Sequence, residues 1–175
     1  MCIFAPDFKS HLMKPRNYIF IALMSALFVS CFTLQPVSVV RNTSMDQYKY
    51  FYVTPTESKT GSAGSVFGYN YGVYGSSTTK STNPADIISG YLMKQGLIRL
   101  PEIKKELAEK TMVINYGETD RRPCGFGYSI EVTIQIISAQ TNEVICVLTG
   151  DGMGETEADD IRIAIERCLD ELYKR

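Results

Sequence analysis

The clearest constraint on the fold is a segment in which apolar and polar residues alternate. Every second residue of 128–136 is apolar, and the residues between are Ser, Glu, Thr and Gln. This period of two is typical of a β-strand with one buried and one solvated face. A turn at 140–142 leads into a second apolar segment, 144–148. The two segments are therefore predicted to pair as an antiparallel hairpin.

The other predicted elements are two strands and two main helices. The strands are 48–53 and 111–116, which are rich in aromatic and β-branched residues. One helix begins with the pair Asn83-Pro84, and the other covers 157–173 after a Thr and an Asp in capping-box spacing. Together these elements predict an α+β fold, in which two main helices pack on one face of a four-stranded mixed or antiparallel sheet.

Two shorter segments, 101–110 and 150–156, connect these elements. The charged segment 101–110 predicts a surface helix with Ile103 and Leu107 pointing inward. The glycine-rich segment 150–156 lies between a strand and a helix N-terminus, where phosphate-binding loops occur. It contains no Lys, and the carboxylates around it would repel an anion. We therefore expect a helix cap and a flexible connection there, with neither a phosphate nor a calcium site.

The start of the chain has the pattern of a secretory signal peptide. Lys14 and Arg16 precede an apolar run at 18–29. This run is too short to span a bilayer, which takes about 20 residues. Met13 would be a more usual start for such a peptide than the first residue. We expect residues 1–30 to be removed.

The sequence LFVSC at 27–31 resembles the lipobox of bacterial lipoproteins, in which the cysteine is acylated and becomes the N-terminus. The resemblance implies that Cys31 is a lipid attachment point and that 31–46 is a lipidated tether. Each buried methylene contributes about 0.8 kcal/mol, so two or three acyl chains would anchor the protein permanently. No acidic residue directly follows Cys31. By analogy with lipoprotein sorting, this favours the outer membrane, with the domain facing the periplasm.

The order of elements from 47 to 175 is also similar to a small α/β domain found in several envelope lipoproteins. Examples are the curli-secretion lipoprotein, the lipoprotein activators of penicillin-binding proteins, and the N-terminal domain of the Tol system's periplasmic protein. The similarity implies a single domain over 47–175. No motif specific to those families is matched, so no functional residue is transferred from them.

Charge and titratable residues exclude several classes of function. The formal net charge is −1, so there is no basic excess to neutralise the phosphates of a nucleic acid. The single histidine, His11, lies in the predicted signal peptide. Without it the domain has neither the usual base of a catalytic triad nor a histidine metal ligand. We expect no enzymatic activity, no catalytic residue, no cofactor and no metal.

Three cysteines remain in the predicted domain, Cys124, Cys146 and Cys168. Export would place them where disulfides form. A bond between Cys146 and Cys168 requires that their strand and helix adjoin. The alternative is that both are small buried residues.

Two segments are candidate interaction sites. The first, 58–82, is a Gly/Tyr-rich loop or loose hairpin, in which tyrosines offer rigid contact area and glycines let the backbone conform. The second, 120–127, is predicted to be a loop whose paired arginines could grip a carboxylate or phosphate. The predicted partner-binding residues are Phe67, Tyr69, Tyr71, Tyr74, Arg121, Arg122 and Phe126.

These observations favour a non-enzymatic, lipid-anchored envelope protein that binds a protein partner or assembles with copies of itself. The alternative is a glycan- or peptidoglycan-binding module that uses the tyrosines of 58–82.

Overall fold

The computed structural model describes residues 33–69, 72–124 and 127–174, and within 59–80 it describes the backbone. Residues Leu34–Arg175 form one compact unit. Its elements, in chain order, are β1 (Ser38–Arg41), β2 (Tyr50–Val53), β3 (Lys59–Tyr69), β4 (Gly72–Thr82), α1 (Pro84–Lys94), β5 (Ile98–Arg99), a 3-10 helix (Lys105–Lys110), β6 (Thr111–Cys124), β7 (Gly127–Ser138), β8 (Val144–Gly152) and α2 (Glu157–Tyr173).

The main sheet has six strands in the order β1-β8-β7-β6-β2-β5. The first four strands are antiparallel to one another, whereas β2 runs parallel to both β6 and β5. The predicted α+β class is confirmed, but the predicted count of four strands is wrong. The strands that were missed, β1 and β5, have four and two residues, too few to produce a recognisable alternation.

The alternating segment forms the centre of the core. Ile130, Val132, Ile134 and Ile136 of β7 are all fully buried, and they join one hydrophobic cluster with the buried residues of both α-helices. Tyr128 belongs to the same alternation but is 39% exposed. The reason is that β7 extends beyond the end of β8 at this point, so Tyr128 has a neighbouring strand on one side only, where it pairs with Pro123 of β6.

Both main helices begin at the predicted caps. The Asn83 side chain accepts a hydrogen bond from the Ala85 N–H at 3.0 Å, and Pro84 is the first helical residue of α1. Thr156 accepts from the Asp159 N–H at 3.2 Å at the start of α2. Among the residues described here, no helix is long and apolar enough to cross a membrane.

The glycine-rich segment at 150–156 is not a flexible connection, because β8 continues to Gly152 and α2 packs directly on it. A Cβ atom at Gly152 would lie 2.0 Å from the Asp160 carbonyl oxygen. One at Gly150 would lie 2.8 Å from the Cys168 Sγ. The glycines therefore allow helix and strand to approach closely, which corrects the expectation of flexibility. We call this region the β8–α2 junction.

Two other predicted segments, 101–110 and 31–46, differ from the structure. Within 101–110 the helix is a 3-10 helix limited to Lys105–Lys110, and Ile103 is exposed instead of pointing inward. Two apolar residues on such a short segment are too few to hold it against the core. The predicted tether, 31–46, contains β1, which pairs with β8 at the edge of the sheet.

Of the two alternatives for the Gly/Tyr-rich segment, a loop or a loose hairpin, the structure has a hairpin, and its strands pair regularly. β3 and β4 pair antiparallel from Lys59↔Thr82 to Tyr69↔Gly72, and they form a two-stranded sheet of their own. The backbone of this hairpin lies against α2. We call it the β3–β4 hairpin.

Candidate functional site

A buried carboxylate, Asp151 of β8, connects three parts of the domain. It is 5% exposed. Arg122 of β6 places its Nη2 atom 2.8 Å from Asp151 Oδ2, and Arg167 of α2 places its Nη1 atom 2.8 Å from Oδ1. A buried carboxylate needs such partners, since an unpaired charge in this position would be strongly destabilising. Asp151 thus ties the helix layer to the sheet.

Asp151 and Arg167 also fix the position of the chain ahead of β1. The Gln35 N–H donates to Asp151 Oδ2 at 3.2 Å, and the Gln35 carbonyl accepts from Arg167 Nη2 at 2.7 Å. Arg167 also donates to the Asp151 carbonyl oxygen. We call the four residues Gln35, Arg122, Asp151 and Arg167 the Gln35 clamp. The chain is therefore attached to the domain at Gln35, well before the end of the predicted tether.

Both arginines of the predicted anion-binding loop belong to strand β6, so the loop prediction is wrong. Arg121 donates to Glu157 Oε1 at 2.7 Å, and this bond raises the pKa of its guanidinium. Its charged group also lies 5.4 Å from the centre of the Tyr128 ring. Arg122 is held by Asp151 in the clamp. The two cations are thus already paired with carboxylates of the domain.

The carboxylates at the start of α2 are held by groups of the same segment, and the helix cap itself is the Thr156 side chain. Asp159 accepts from the Thr156 hydroxyl at 2.9 Å and is paired with Arg162 at 3.1 Å. Asp160 is buried and accepts from the Gly154 N–H, and burial raises the pKa of its carboxyl above the ordinary value. Throughout the described part of the chain, no three His, Cys, Asp or Glu residues form a group that could hold a metal ion.

The three cysteines are buried free thiols. Strand β8 and helix α2 do adjoin, so the condition for a bond between Cys146 and Cys168 is met, but the bond is not formed. Burial raises the pKa of the Cys168 thiol to about 12. Its sulfur instead fills the space above Gly150. Of the two alternatives, a disulfide or two small buried residues, the structure has the second.

The remaining predicted site residues lie in the β3–β4 hairpin or outside the residues that the structure describes. The register pairs Phe67 with Tyr74 and Tyr69 with Gly72. These aromatic residues therefore occupy neighbouring positions of one hairpin, away in sequence from the arginines. Tyr71, Phe126 and Cys31 lie outside the described residues.

Sequence reasoning missed the Gln35 clamp. Its members are up to 132 positions apart in the chain, so no local motif connects them. One local signal did exist, a carboxylate between two glycines in a strand that is otherwise uncharged, Val144–Gly152. A charge at such a position predicts a buried, paired group.

No protein-family model and no curated protein matches the chain. Similar solved structures include a variant of the PelC dodecamer from Paraburkholderia phytofirmans, with 15% identity and a TM-score of 0.44 over 78% of this chain and 92% of that one. A second crystal form of that dodecamer has 11% identity and a TM-score of 0.42, covering 79% and 96%. A PDZ domain protein from Parabacteroides distasonis has 9% identity and a TM-score of 0.46, covering 88% and 41%. At these scores none of the three shows a family for the chain.

Proposed function

We propose that the chain is a non-enzymatic, lipid-anchored protein of the bacterial cell envelope, whose domain binds a protein partner or assembles with copies of itself. The observation that carries this proposal is the LFVSC sequence at 27–31, directly after a basic and apolar leader. Acyl chains on Cys31 would hold the domain at a membrane, and the outer membrane with a periplasmic domain is our preferred location.

The position of the compact unit supports this proposal. The unit begins at Leu34, three residues after Cys31. The Gln35 clamp then fixes the chain to β8 and α2. A lipid on Cys31 would therefore be connected to a fixed point of the domain by a very short segment.

The β3–β4 hairpin is the surface that we propose for the partner. Phe67 and Tyr74 are cross-strand neighbours, and Tyr69 is two residues from Phe67. Since side chains alternate along a strand, these three positions belong to one side of the hairpin. Aromatic residues on one side provide contact area at low entropic cost, which suits a binding surface.

The anchor is tested by the mass of the mature N-terminus in membranes of cells that express the chain. The expected result is a chain that begins at Cys31 and carries acyl groups. A Cys31→Ser variant should be released from the membrane fraction. A mature chain with an unmodified Cys31 would contradict the anchor.

The partner surface is tested by capture from detergent-solubilised membranes. We expect the combined change of Tyr69, Tyr71 and Tyr74 to Ser to abolish capture of one defined protein, which can be a second copy of the chain. The matched control changes Ser65 and Ser76 to Ala, because these residues face each other in the same hairpin. If the tyrosine variant keeps its protein partner and loses only retention on peptidoglycan, the glycan-binding alternative replaces our proposal.

A further inference from the structure

The chain enters the domain at one end of the six-stranded sheet. β1 runs antiparallel to β8, and its first residue, Ser38, pairs with Thr149. The residues before Ser38 therefore lie beside the last residues of β8, where Gln35 is bound to Asp151. The Gln35 clamp marks this end of the sheet.

Strands β6 and β7 project beyond the same end. β8 stops at Gly152, which pairs with Ile130. β7 begins three residues before Ile130, at Gly127, which pairs with Cys124 of β6. At about 3.3 Å per residue, the projection is roughly 10 Å. We call the ends of these two strands, Arg122–Cys124 and Gly127–Ser129, the sheet tip.

The exposed part of the sheet tip has the chemistry of a membrane–water interface, whereas Cys124 and Ser129 are buried. Tyr128 is 39% exposed, and the Arg121 guanidinium lies 5.4 Å from the centre of its ring. Pro123 and Gly127 beside it are also exposed. Tyrosine is enriched at lipid headgroups because its ring is apolar and its hydroxyl is polar.

The length of chain ahead of the clamp decides what this tip can reach. Gln35 is four residues after Cys31. A fully extended chain of that length covers about 14 Å at most. The sheet tip projects a similar distance from the same end of the sheet. A lipid on Cys31 would therefore keep the tip within reach of the bilayer surface.

We propose that the sheet tip lies against the lipid surface, with Tyr128 among the headgroups. The proposal rests on the acylation of Cys31 that the proposed function includes. It assigns the membrane-facing end of the domain, and it leaves the β3–β4 hairpin for the protein partner.

The absence of tryptophan from the chain makes a direct test possible. In the acylated full-length protein, Tyr128→Trp introduces a single fluorescent reporter at the tip. The protein is reconstituted into vesicles of phosphatidylcholine and phosphatidylglycerol, with brominated or unmodified acyl chains. We expect a blue-shifted emission from Trp at position 128 that the brominated lipids largely quench.

The matched control is Ile98→Trp. Ile98 is 43% exposed, close to the value for Tyr128. It lies in β5, beside the first residues of β2 and β6, at the opposite end of the sheet. We expect this reporter to keep its emission in brominated vesicles. Quenching should also disappear when Cys31→Ser removes the anchor from the Tyr128→Trp protein.

The outcomes separate this proposal from the one it rests on. Unquenched emission at position 128 in a protein with acylated Cys31, or equal quenching at 128 and 98, overturns the lipid contact of the sheet tip and leaves the anchor intact. An unmodified Cys31 in the mass spectrum overturns both proposals.

Discussion

The β8–α2 junction and the β3–β4 hairpin are both rich in glycine, but the glycines have different surroundings. At the junction, Gly150 and Gly152 lie directly under helix α2, and a Cβ at either position would meet atoms closer than 3 Å. In the hairpin, the glycines belong to two strands that pair only with each other among the described residues. The junction sequence is thus constrained by packing inside the domain. The hairpin lies outside the six-stranded sheet, although its backbone also contacts α2.

The largest effect on stability is expected at Gly152. In Gly152→Ala the new Cβ would lie 2.0 Å from the Asp160 carbonyl oxygen and 2.6 Å from the Ala164 nitrogen, both backbone atoms of α2. The helix must shift as a whole, so we expect a loss of about 3 kcal/mol or more in the free energy of unfolding. Urea denaturation followed by circular dichroism measures it.

Gly150→Ala is the matched comparison for that change. Its Cβ would meet the Cys168 Sγ at 2.8 Å and a Val37 methyl group at 3.1 Å. These are side-chain atoms that can move, so a smaller loss of about 1–2 kcal/mol is expected. If both variants were as stable as the original protein, close packing would not explain the glycines of the junction.

The next largest loss in the free energy of unfolding is expected at the Gln35 clamp. In Asp151→Asn the two arginines lose their buried anionic partner, and we expect a loss of about 2 kcal/mol. This value is below that of a fully buried ion pair, because the side chains of Arg122 and Arg167 are 36% and 28% exposed. The same unfolding experiment measures the loss.

Glu157→Gln is the control for the clamp. It removes one of the two carboxylate partners of Arg121, the other arginine of β6, and both side chains of the Arg121–Glu157 pair are partly exposed. Exposed pairs contribute little, so a loss of about 0.5 kcal/mol is expected. Equal losses in Asp151→Asn and Glu157→Gln would mean that the clamp does not fix Gln35 more strongly than a surface ion pair does.

The two regions also show how far the sequence predicts the fold. The strand at 128–136 and the caps at Asn83 and Thr156 depend on residues close together in the chain, and local patterns predicted them. The clamp depends on contacts between distant segments. No local pattern distinguishes a glycine in a flexible connection from one beneath a helix. For the same reason the sequence located the aromatic residues of the hairpin but missed the regular pairing of its strands.

A pH-dependent effect is expected at the junction from Asp160. Burial raises the pKa of its carboxyl above 3.8 in the folded protein. The folded state therefore binds this proton more tightly than the unfolded state does, and the contribution of Asp160 to stability falls as the pH rises through its folded pKa. Asp160→Asn removes the titration while its side-chain oxygen can still accept from Gly154.

The measurement is the difference in unfolding free energy between Asp160→Asn and the original protein across the pH range. Relative to the original protein, the variant should become more stable as the pH rises from about 4 to 7. A difference that stays constant over this range, or that changes in the opposite direction, would contradict the assigned cause of the pKa shift.

The smallest effect is expected from Gly64→Ala in the β3–β4 hairpin. Gly64 pairs with Ser77 in the separate two-stranded sheet. The hairpin pairs separately from the six-stranded sheet, and alanine suits a strand backbone at least as well as glycine, so the unfolding free energy should change by less than about 0.5 kcal/mol. The same type of substitution would thus be severe at Gly152 and nearly neutral at Gly64. A loss at Gly64 comparable to that at Gly152 would show that close packing also constrains the glycines of the hairpin, which would then need no partner to explain them.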